Sequence, residues 1–285
     1  MTPLLEVKGI CKSFGGFSLQ NISFSLEPGF ILGIIGENGS GKTTLLRTLL
    51  HLYRPDAGTV TVDGSSAADN EPFVRQRIGA VLEQDFFEDR WSAAKNAACF
   101  GKFYPDFRFS VFQESCRRFE ISPDQKVKNL SRGARRKLQF AFALACRPSL
   151  YLMDEPADGL DPGFRRSLLS CMQEIVESGQ RSVVFSTHLI SDLDRIADYI
   201  LMLKDGRMQF FLDKESLCSR FCLLRGTREE LNALPEAWIM GQKHGEYHSE
   251  ALILITEENR RHFQRVPHPD LSTVFYYLER GTVSC

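Results

Sequence analysis

The sequence has no apolar run long enough to cross a membrane. Its best apolar stretches, residues 30–36 and 140–153, are short or interrupted by Arg147 and Pro148, whereas a spanning helix needs about 20 apolar residues. The N-terminus also lacks the basic start and apolar stretch of a signal peptide. We therefore expect no transmembrane segment in this chain.

The sequence also lacks an excess of charge and closely paired cysteines. Lys and Arg number 35 and Asp and Glu number 36, a net charge of −1, so direct nucleic-acid binding is not expected. None of the eight cysteines stands in a CxxC pair, which argues against zinc and favours reduced thiols in a cytoplasmic protein. The 285 residues, 43% of them hydrophobic, suffice for one large or two modest globular domains.

Short apolar segments alternate with helical patterns through most of the chain. The pattern predicts strands at 5–10, 30–35, 78–82, 150–154, 182–186 and 199–203, and helices at 42–52, 132–146, 164–177 and 192–197. Apolar strands interleaved with helices favour an α/β fold with a sheet covered on both faces. Near residue 213 the character changes, and shorter strands are predicted at 221–224, 238–240 and 251–255, with a helix at 271–278. We therefore predict a main domain at 1–213 and a small accessory domain at 214–285.

Residues 36–44, GENGSGKTT, match the phosphate-binding pattern GxxxxGK[ST] between an apolar strand and a helix. Glycines let successive backbone N–H groups turn toward phosphate oxygens, and the helix N-terminus adds positive potential. Lys42 would reach the β- and γ-phosphates, and the Thr43 hydroxyl would hold Mg²⁺. The alternative is an ordinary glycine-rich turn before a helix. The predicted phosphate-binding residues are Gly36, Asn38, Gly39, Ser40, Gly41, Lys42, Thr43 and Thr44.

Two acidic residues, Asp154 and Glu155, end the apolar strand that begins at residue 150. A buried strand ends in carboxylates when something stabilises them, and a magnesium–nucleotide complex would do so. Asp154 would bind Mg²⁺ directly or through water, and Glu155 could accept a proton from the attacking water. The alternative is a strand-end aspartate that caps a turn, and the phosphate-binding motif upstream disfavours it.

Residues 130–137, LSRGARRK, predict a helix start with Ser131 as its N-cap. Four basic residues in the first two turns are unexpected, because cations are disfavoured at the positive end of a helix. They predict either a solvated basic face or a helix start that receives an anion.

With these motifs in this order, LSRGA resembles the LSGGQ signature of ABC-type ATPases, and residues 3–212 resemble an ABC nucleotide-binding subunit. The resemblance implies a P-loop NTPase cassette with a RecA-like core, an antiparallel β subdomain and a helical subdomain at about 86–147, followed by a small α+β extension. In the family, the signature serine hydroxyl and glycine amide act in trans on the γ-phosphate, and Ser131 and Gly133 keep both groups. Arg132 and Ala134 depart from the signature, and the effect of Arg132 stays open.

The resemblance assigns further residues by their position among the motifs. Phe14 stands where the family stacks an aromatic ring on adenine. Gln84 matches the glutamine that touches the Mg²⁺ and water side of the site, with Glu83 as the rival assignment. Asp161 belongs to the segment that resembles the D-loop, and His188 matches the switch histidine that contacts the γ-phosphate.

The resemblance implies a function as well. It implies a head-to-tail dimer that hydrolyses Mg-ATP and drives transport through separate transmembrane permease subunits at the cytoplasmic face of the membrane. Residues 185–200 and 270–275 are similar to the exporter-like YtrB-type bacterial branch, and the permease contact is expected near Gln84 and residues 85–91. The alternatives are a soluble ABC ATPase acting on a protein or nucleic-acid machine, a module without hydrolysis, and another P-loop enzyme such as a nucleotide kinase.

Overall fold

The computed structural model describes residues 2–66, 68, 71–245, 248–263, 266–280 and 283–284. The chain divides into two compact units, the first comprising Met1–His188 and Ile196–Phe211, the second Leu189–Arg195 and Leu212–Cys285. Among the described residues, no helix is both long and apolar enough to span a membrane. The seven cysteines in that part of the chain are free, and Cys285 lies outside it.

A ten-stranded sheet forms the centre of the first unit. Its strands are β1 (Leu5–Phe14), β2 (Phe17–Leu26), β3 (Ile31–Ile35), β4 (Ala57–Val62), β5 (Ser65–Ser66), β6 (Ile78–Val81), β7 (Leu150–Met153), β8 (Ser182–Ser186), β9 (Tyr199–Lys204) and β10 (Arg207–Asp213). Their order across the sheet is β5-β4-β1-β2-β10-β9-β3-β8-β7-β6.

The parallel half of this sheet contains the chain's most apolar strands. Strand β3 pairs in parallel with β9 and β8, β8 with β7, and β7 with β6. Every residue of β3, β7 and β8 is buried, as expected for strands covered on both faces. Because parallel strands end at the same edge of a sheet, the segments that follow β3, β8, β7 and β6 come together there.

The antiparallel half consists of β1, β2, β4 and β5. It joins the parallel half through β2 and β10, which share the register pair Gln20 and Arg207. One apolar core lies under both halves, and it includes Ile10, Leu45 and Leu152, each with no exposed surface. Both halves therefore belong to one packed unit.

Six helices of the first unit connect or cover the strands: α1 (Lys42–Leu49), α2 (Glu71–Gln76), α3 (Ala93–Phe100), α4 (Phe109–Arg118), α5 (Arg132–Cys146) and α6 (Pro162–Val176). Helix α6 packs on β8 and β3, and α5 packs on β6. The predicted helix at 42–52 ends earlier, at Leu49, since the backbone of His51 is left-handed with φ of 58°. The predicted strand at 182–186 and helix at 132–146 coincide with β8 and α5.

The second unit is a small α+β structure. Its strands are β11 (Phe221–Gly226), β12 (Ile239–His244), β13 (Ser249–Leu254) and β14 (Val283–Ser284), and its helices are α7 (Ile190–Ile196), α8 (Lys214–Ser219), α9 (Arg228–Asn232), α10 (Arg260–Phe263) and α11 (Leu271–Arg280). Strand β13 pairs antiparallel with β11 and β12, and Cys222, Ile253 and Phe263 form part of its buried core. The predicted fold class, an α/β cassette with a small α+β extension, is confirmed.

Candidate functional site

The loop between β3 and α1 has a backbone that only glycine accommodates. Gly39 and Gly41 have φ angles of 84° and 108°, a left-handed region that glycine enters without steric cost. A Cβ on Gly41 would lie 2.7 Å from the Phe17 ring, and one on Gly36 would lie 2.2 Å from the carbonyl oxygen of Leu203. The glycines of the predicted phosphate loop are therefore required by its shape.

Lys42 places a nearly buried ammonium at the centre of this loop. Its side chain is 7% exposed, and Nζ donates hydrogen bonds to the carbonyl oxygens of Gly36 at 2.7 Å and Glu37 at 3.2 Å. Nζ also lies 3.8 Å from Oε1 of Glu155. The buried hydroxyl of Ser40 has no hydrogen-bond partner among the described residues, so the loop holds a fixed positive charge and an unused polar group.

A cleft of about 560 Å³ opens over the loop. Its lining residues are Phe14, Phe17, Asn38, Gly39, Gly41, Lys42, Thr43, Thr44, Tyr53 and Glu155. Phe14 is 42% exposed, its ring meets the edge of Tyr53 at a centroid distance of 5.1 Å, and Nζ of Lys12 lies 5.5 Å from its centroid. One side of the cleft is therefore aromatic, and the other carries the loop, a cation and a carboxylate.

Asp154 and Glu155 follow β7 and are joined through Ser186 at the end of β8. The backbone N–H of Asp154 donates to the carbonyl of Val81 at 2.8 Å. The hydroxyl of Ser186 donates to Oδ1 of Asp154 at 2.7 Å and accepts the N–H of Glu155 at 2.8 Å. Asp154 is only 3% exposed, and the hydrogen bond from Ser186 fixes its carboxylate.

Glu155 has a left-handed backbone, with φ of 45°, which costs a residue other than glycine about 1–2 kcal/mol. The guanidinium of Arg136 stabilises this strained backbone through hydrogen bonds to its carbonyl oxygens. Its Nη1 donates to the carbonyl oxygens of Asp154 at 2.9 Å and Glu155 at 2.6 Å. Backbone strain and a buried cation therefore coincide at the residue whose carboxylate enters the cleft.

The Glu155 carboxylate lies between two nitrogen atoms. Its Oε2 is 2.9 Å from Nδ1 of His188, and its Oε1 faces Nζ of Lys42 at 3.8 Å. Glu155 is 24% exposed and His188 48% exposed, so solvent reaches both. The structure thus gathers three predicted residues, Lys42, Glu155 and His188, into one cluster.

The predicted signature residues form the start of α5, outside the cleft lining. The Ser131 hydroxyl oxygen caps the helix by accepting the N–H of Ala134 at 3.2 Å. A Cβ on Gly133 would meet Gly159 and Leu160 only at 3.6 Å, an ordinary contact distance. The fold of a single chain therefore does not require glycine at position 133.

All four basic side chains that follow Ser131 have partners in the same chain. The pairs are Arg132 with Asp158 and Glu83, Arg135 with Asp85 and Asp89, Arg136 with the main-chain oxygens of Asp154 and Glu155, and Lys137 with Asp161. These pairs show how the basic residues are accommodated within one chain, and the expectation of a helix start that receives an anion stays a prediction. Carboxylates and carbonyls from other segments offset the repulsion between these cations and the helix dipole.

Six further predicted residues are not among those that line the cleft, namely Gly36, Ser40, Gln84, Asp154, Asp161 and His188. Gln84 follows β6 and is exposed, while its rival Glu83 lies 3.7 Å from Arg132. Asp161 caps α6 by accepting the N–H of Phe164 at 2.8 Å, a bond that lowers the pKa of this carboxyl. Gln84 and Asp161 are both exposed.

Sequence reasoning missed several residues that this arrangement uses. Phe17 and Tyr53 line the cleft with Phe14, and the hairpin register that pairs Phe14 with Phe17 could have indicated the first. Ser186 ends a strand whose three central residues are apolar, a signal similar to the one that indicated Asp154.

Comparison with known proteins gives consistent matches. Residues 19–158 match the protein family described as ABC transporter. The ABC transporter ATP-binding protein YtrB of Bacillus subtilis is 31% identical over 215 residues, 75% of this chain and 73% of that protein. The Nod factor export ATP-binding protein I of Cupriavidus metallidurans is 30% identical over 213 residues, 73% of this chain and 70% of that protein.

Solved structures show the same fold. The structure of an ATP binding subunit of an ABC transporter matches with a TM-score of 0.70 and 23% identity, over 76% of this chain and 92% of its own. A dimeric post-hydrolysis state of an ATP-binding cassette bound to ADP and Pi matches with a TM-score of 0.66 and 24% identity, over 73% of this chain and 98% of its own.

Proposed function

Because the chain belongs to the ABC transporter family and is an ATP-hydrolysing ATPase, we propose that it hydrolyses Mg-ATP to drive export through separate transmembrane subunits. The observation that carries this proposal is the cluster of Lys42, Glu155 and His188 beside the glycine loop. A fixed cation and an imidazole can stabilise charge on a phosphoryl group, and a carboxylate beside them can accept a proton from water.

We assign the two sides of the cleft to the two ends of the nucleotide. The exposed ring of Phe14 offers a face for stacking adenine, and the loop amides with Lys42 would hold the phosphates. The oxygens of Thr43 and Asp154 suit Mg²⁺, which prefers oxygen ligands and is held mainly by one or two carboxylates and substrate phosphates. When bound, Mg²⁺ would neutralise charge on the phosphate oxygens.

Hydrolysis then depends on the chain's own side chains. Glu155 would orient the attacking water and accept its proton, since its carboxylate faces the cleft and is solvent-accessible. Lys42 and His188 would stabilise the charge on the γ-phosphoryl group. Gln84, exposed at the end of β6, would contribute from the rim of the site.

A second copy, or a related ATP-binding subunit, would complete the site in head-to-tail orientation. Ser131 Oγ accepts a hydrogen bond within its own helix, so its O–H hydrogen is available for a phosphate oxygen of the partner's nucleotide. Gly133 is not needed for the fold of one chain, which supports a role in close approach by an outside group. Asp161 lies near the same helix, where its carboxylate pairs with Lys137.

The permease contact that we propose lies on the surface carrying Gln84 and residues 85–91, at the cytoplasmic face of the membrane. Phe86 and Phe103 expose 48% and 66% of their surface, and Phe103 lines a second cleft together with Tyr104 and Pro72. Large exposed aromatics of this kind are typical of protein interfaces. The export direction rests on relatives named as Nod factor export proteins.

Replacing Phe14 with alanine is expected to weaken ATP binding about 5- to 140-fold, because base–aromatic stacking contributes about 1–3 kcal/mol. The loop and Lys42 stay intact, so turnover at saturating ATP should change little. Titration with a fluorescent ATP analogue measures the change. Phe103→Ala, an exposed phenylalanine outside the cleft, is the matched control, and equal affinities for both variants would contradict the assignment.

The transport function is tested by capturing the tagged full-length chain from detergent-solubilised membranes of its native cells. We expect a multi-spanning permease to co-purify and to raise the ATPase rate of the chain. Phe86→Glu should lose this partner, while Leu52→Glu, at an exposed apolar residue elsewhere, should keep it. Recovery of ribosomal or DNA-repair proteins in place of a permease would overturn the proposal.

A further inference from the structure

Arg136 is a buried cation that the proposed hydrolysis does not use. The residue is 3% exposed although it lies in the second turn of α5. Both hydrogen bonds of its Nη1 go to main-chain carbonyl oxygens, those of Asp154 and Glu155. A guanidinium is costly to bury, so its position at these two carbonyls calls for a role there.

The two carbonyls belong to the strained turn that orients Glu155. Ser186 holds the N–H of Glu155, and Val81 holds the N–H of Asp154. Arg136 supplies the hydrogen bonds on the carbonyl side of the same two residues. The carbonyl of Glu155 also accepts the N–H of Asp158 at 3.1 Å, so Arg136 is the side-chain donor that binds both carbonyls of this left-handed turn.

The direction of the Glu155 carboxylate depends on this backbone. Its two oxygens lie 2.9 Å from His188 and 3.8 Å from Lys42, so a small rotation of the peptide would move it relative to both. A displacement of about 1 Å at a reacting group costs on the order of a hundredfold in rate.

Arg136 also connects Glu155 to the helix that carries Ser131. One turn further along α5, the buried side chain of Gln139 accepts the N–H of Leu82 at 2.9 Å and donates to its carbonyl at 3.0 Å. Helix α5 therefore holds the ends of both β7 and β6, and a rigid shift of this helix would move the backbone beneath Glu155.

Building on the proposed function, we infer that Arg136 is a positioning residue that fixes the Glu155 carboxylate and ties it to the signature helix of the same chain. Contact of Ser131 with the partner's nucleotide would thereby affect the hydrolytic geometry of this chain's own site. Two sites can be coupled when binding at each of them shifts the same packed element, here helix α5.

Substitution of Arg136 by lysine tests the inference while keeping the positive charge. A lysine ammonium is more strongly hydrated than a guanidinium and stands on a flexible stem, so it would hold the two carbonyls less firmly at this buried position and we expect kcat to fall about tenfold or more. The affinity for ATP should stay within about twofold, because neither Lys42 nor the aromatic side of the cleft is altered. Arg117→Met, at an exposed arginine of α4, is the control and should leave kcat unchanged.

A double-mutant cycle with Glu155→Gln separates positioning from general structural damage. If Arg136 acts through Glu155, Arg136→Lys should lower the hydrolysis rate of the otherwise unchanged enzyme. In the Glu155→Gln background the same substitution should lower the rate by less than about twofold. Single-turnover phosphate release measures both rates. Losses that multiply, or a parallel fall in ATP affinity and melting temperature, would overturn the inference. Full turnover by Glu155→Gln alone would instead reject the base assignment in the proposed function.

Discussion

Replacement of Glu155 by glutamine is expected to lower ATP turnover about 10²- to 10⁴-fold, the usual contribution of a general base. Glutamine keeps the size of the side chain and can still contact His188, but its amide cannot accept the proton of water. ATP binding should persist, since the loop glycines and Lys42 are untouched. Phosphate release at saturating ATP measures turnover, and equilibrium titration measures affinity.

The same variant should hold its nucleotide in the closed dimer, because without hydrolysis the nucleotide keeps the γ-phosphate that the partner's signature helix is proposed to contact. Light scattering with and without Mg-ATP would detect the change in mass. Glu177→Gln, the same substitution at an exposed carboxylate after α6, should behave like the original chain. Wild-type turnover by Glu155→Gln would refute the assignment of Glu155 as base.

Lys42→Ala is expected to weaken ATP binding about 10- to 100-fold. A hydrogen bond to a charged group contributes about 1.5–3 kcal/mol, and each 1.4 kcal/mol changes affinity tenfold. The substitution removes the ammonium that is fixed by Gly36 and Glu37. Isothermal titration with Mg-ATP measures the affinity of the variant.

Because Lys42 also donates hydrogen bonds to carbonyl oxygens of the loop, its removal should lower the free energy of unfolding. The melting temperature must therefore be measured together with the affinity. Lys8→Ala removes an exposed lysine of β1 and should change neither quantity. An unchanged dissociation constant for Lys42→Ala, in a folded protein, would show that the glycine loop does not bind phosphate.

The parts of the site that can be predicted from the sequence consist of residues that are neighbours in the chain. The loop 36–44 and the pair Asp154 and Glu155 each follow an apolar strand, and parallel strands bring their ends to one edge. The fold class followed from the same strands, and β8 was located with its observed bounds. The roles of these residues stay predictions until variants are measured.

The parts that could not be indicated depend on partners distant in the chain. Tyr53 reaches Phe14 only because α1 returns the chain to the first hairpin, and Ser186 meets Asp154 only through the pairing of β7 with β8. Residue type alone does not distinguish Arg136 from its basic neighbours. Its helical spacing from Phe140 is the local signal that places it on the buried face of α5.

The narrow junction between the two halves of the large sheet has a thermodynamic consequence. Phe14 belongs to the antiparallel half and the glycine loop to the parallel half, and one register pair, Gln20 with Arg207, joins β2 to β10. A nucleotide bound as proposed would cross-link these halves and stabilise the folded chain by RT ln(1 + [L]/Kd), about 2.7 kcal/mol at a hundredfold excess over Kd. The free energy of unfolding of this subunit would then rise with the ATP concentration around it.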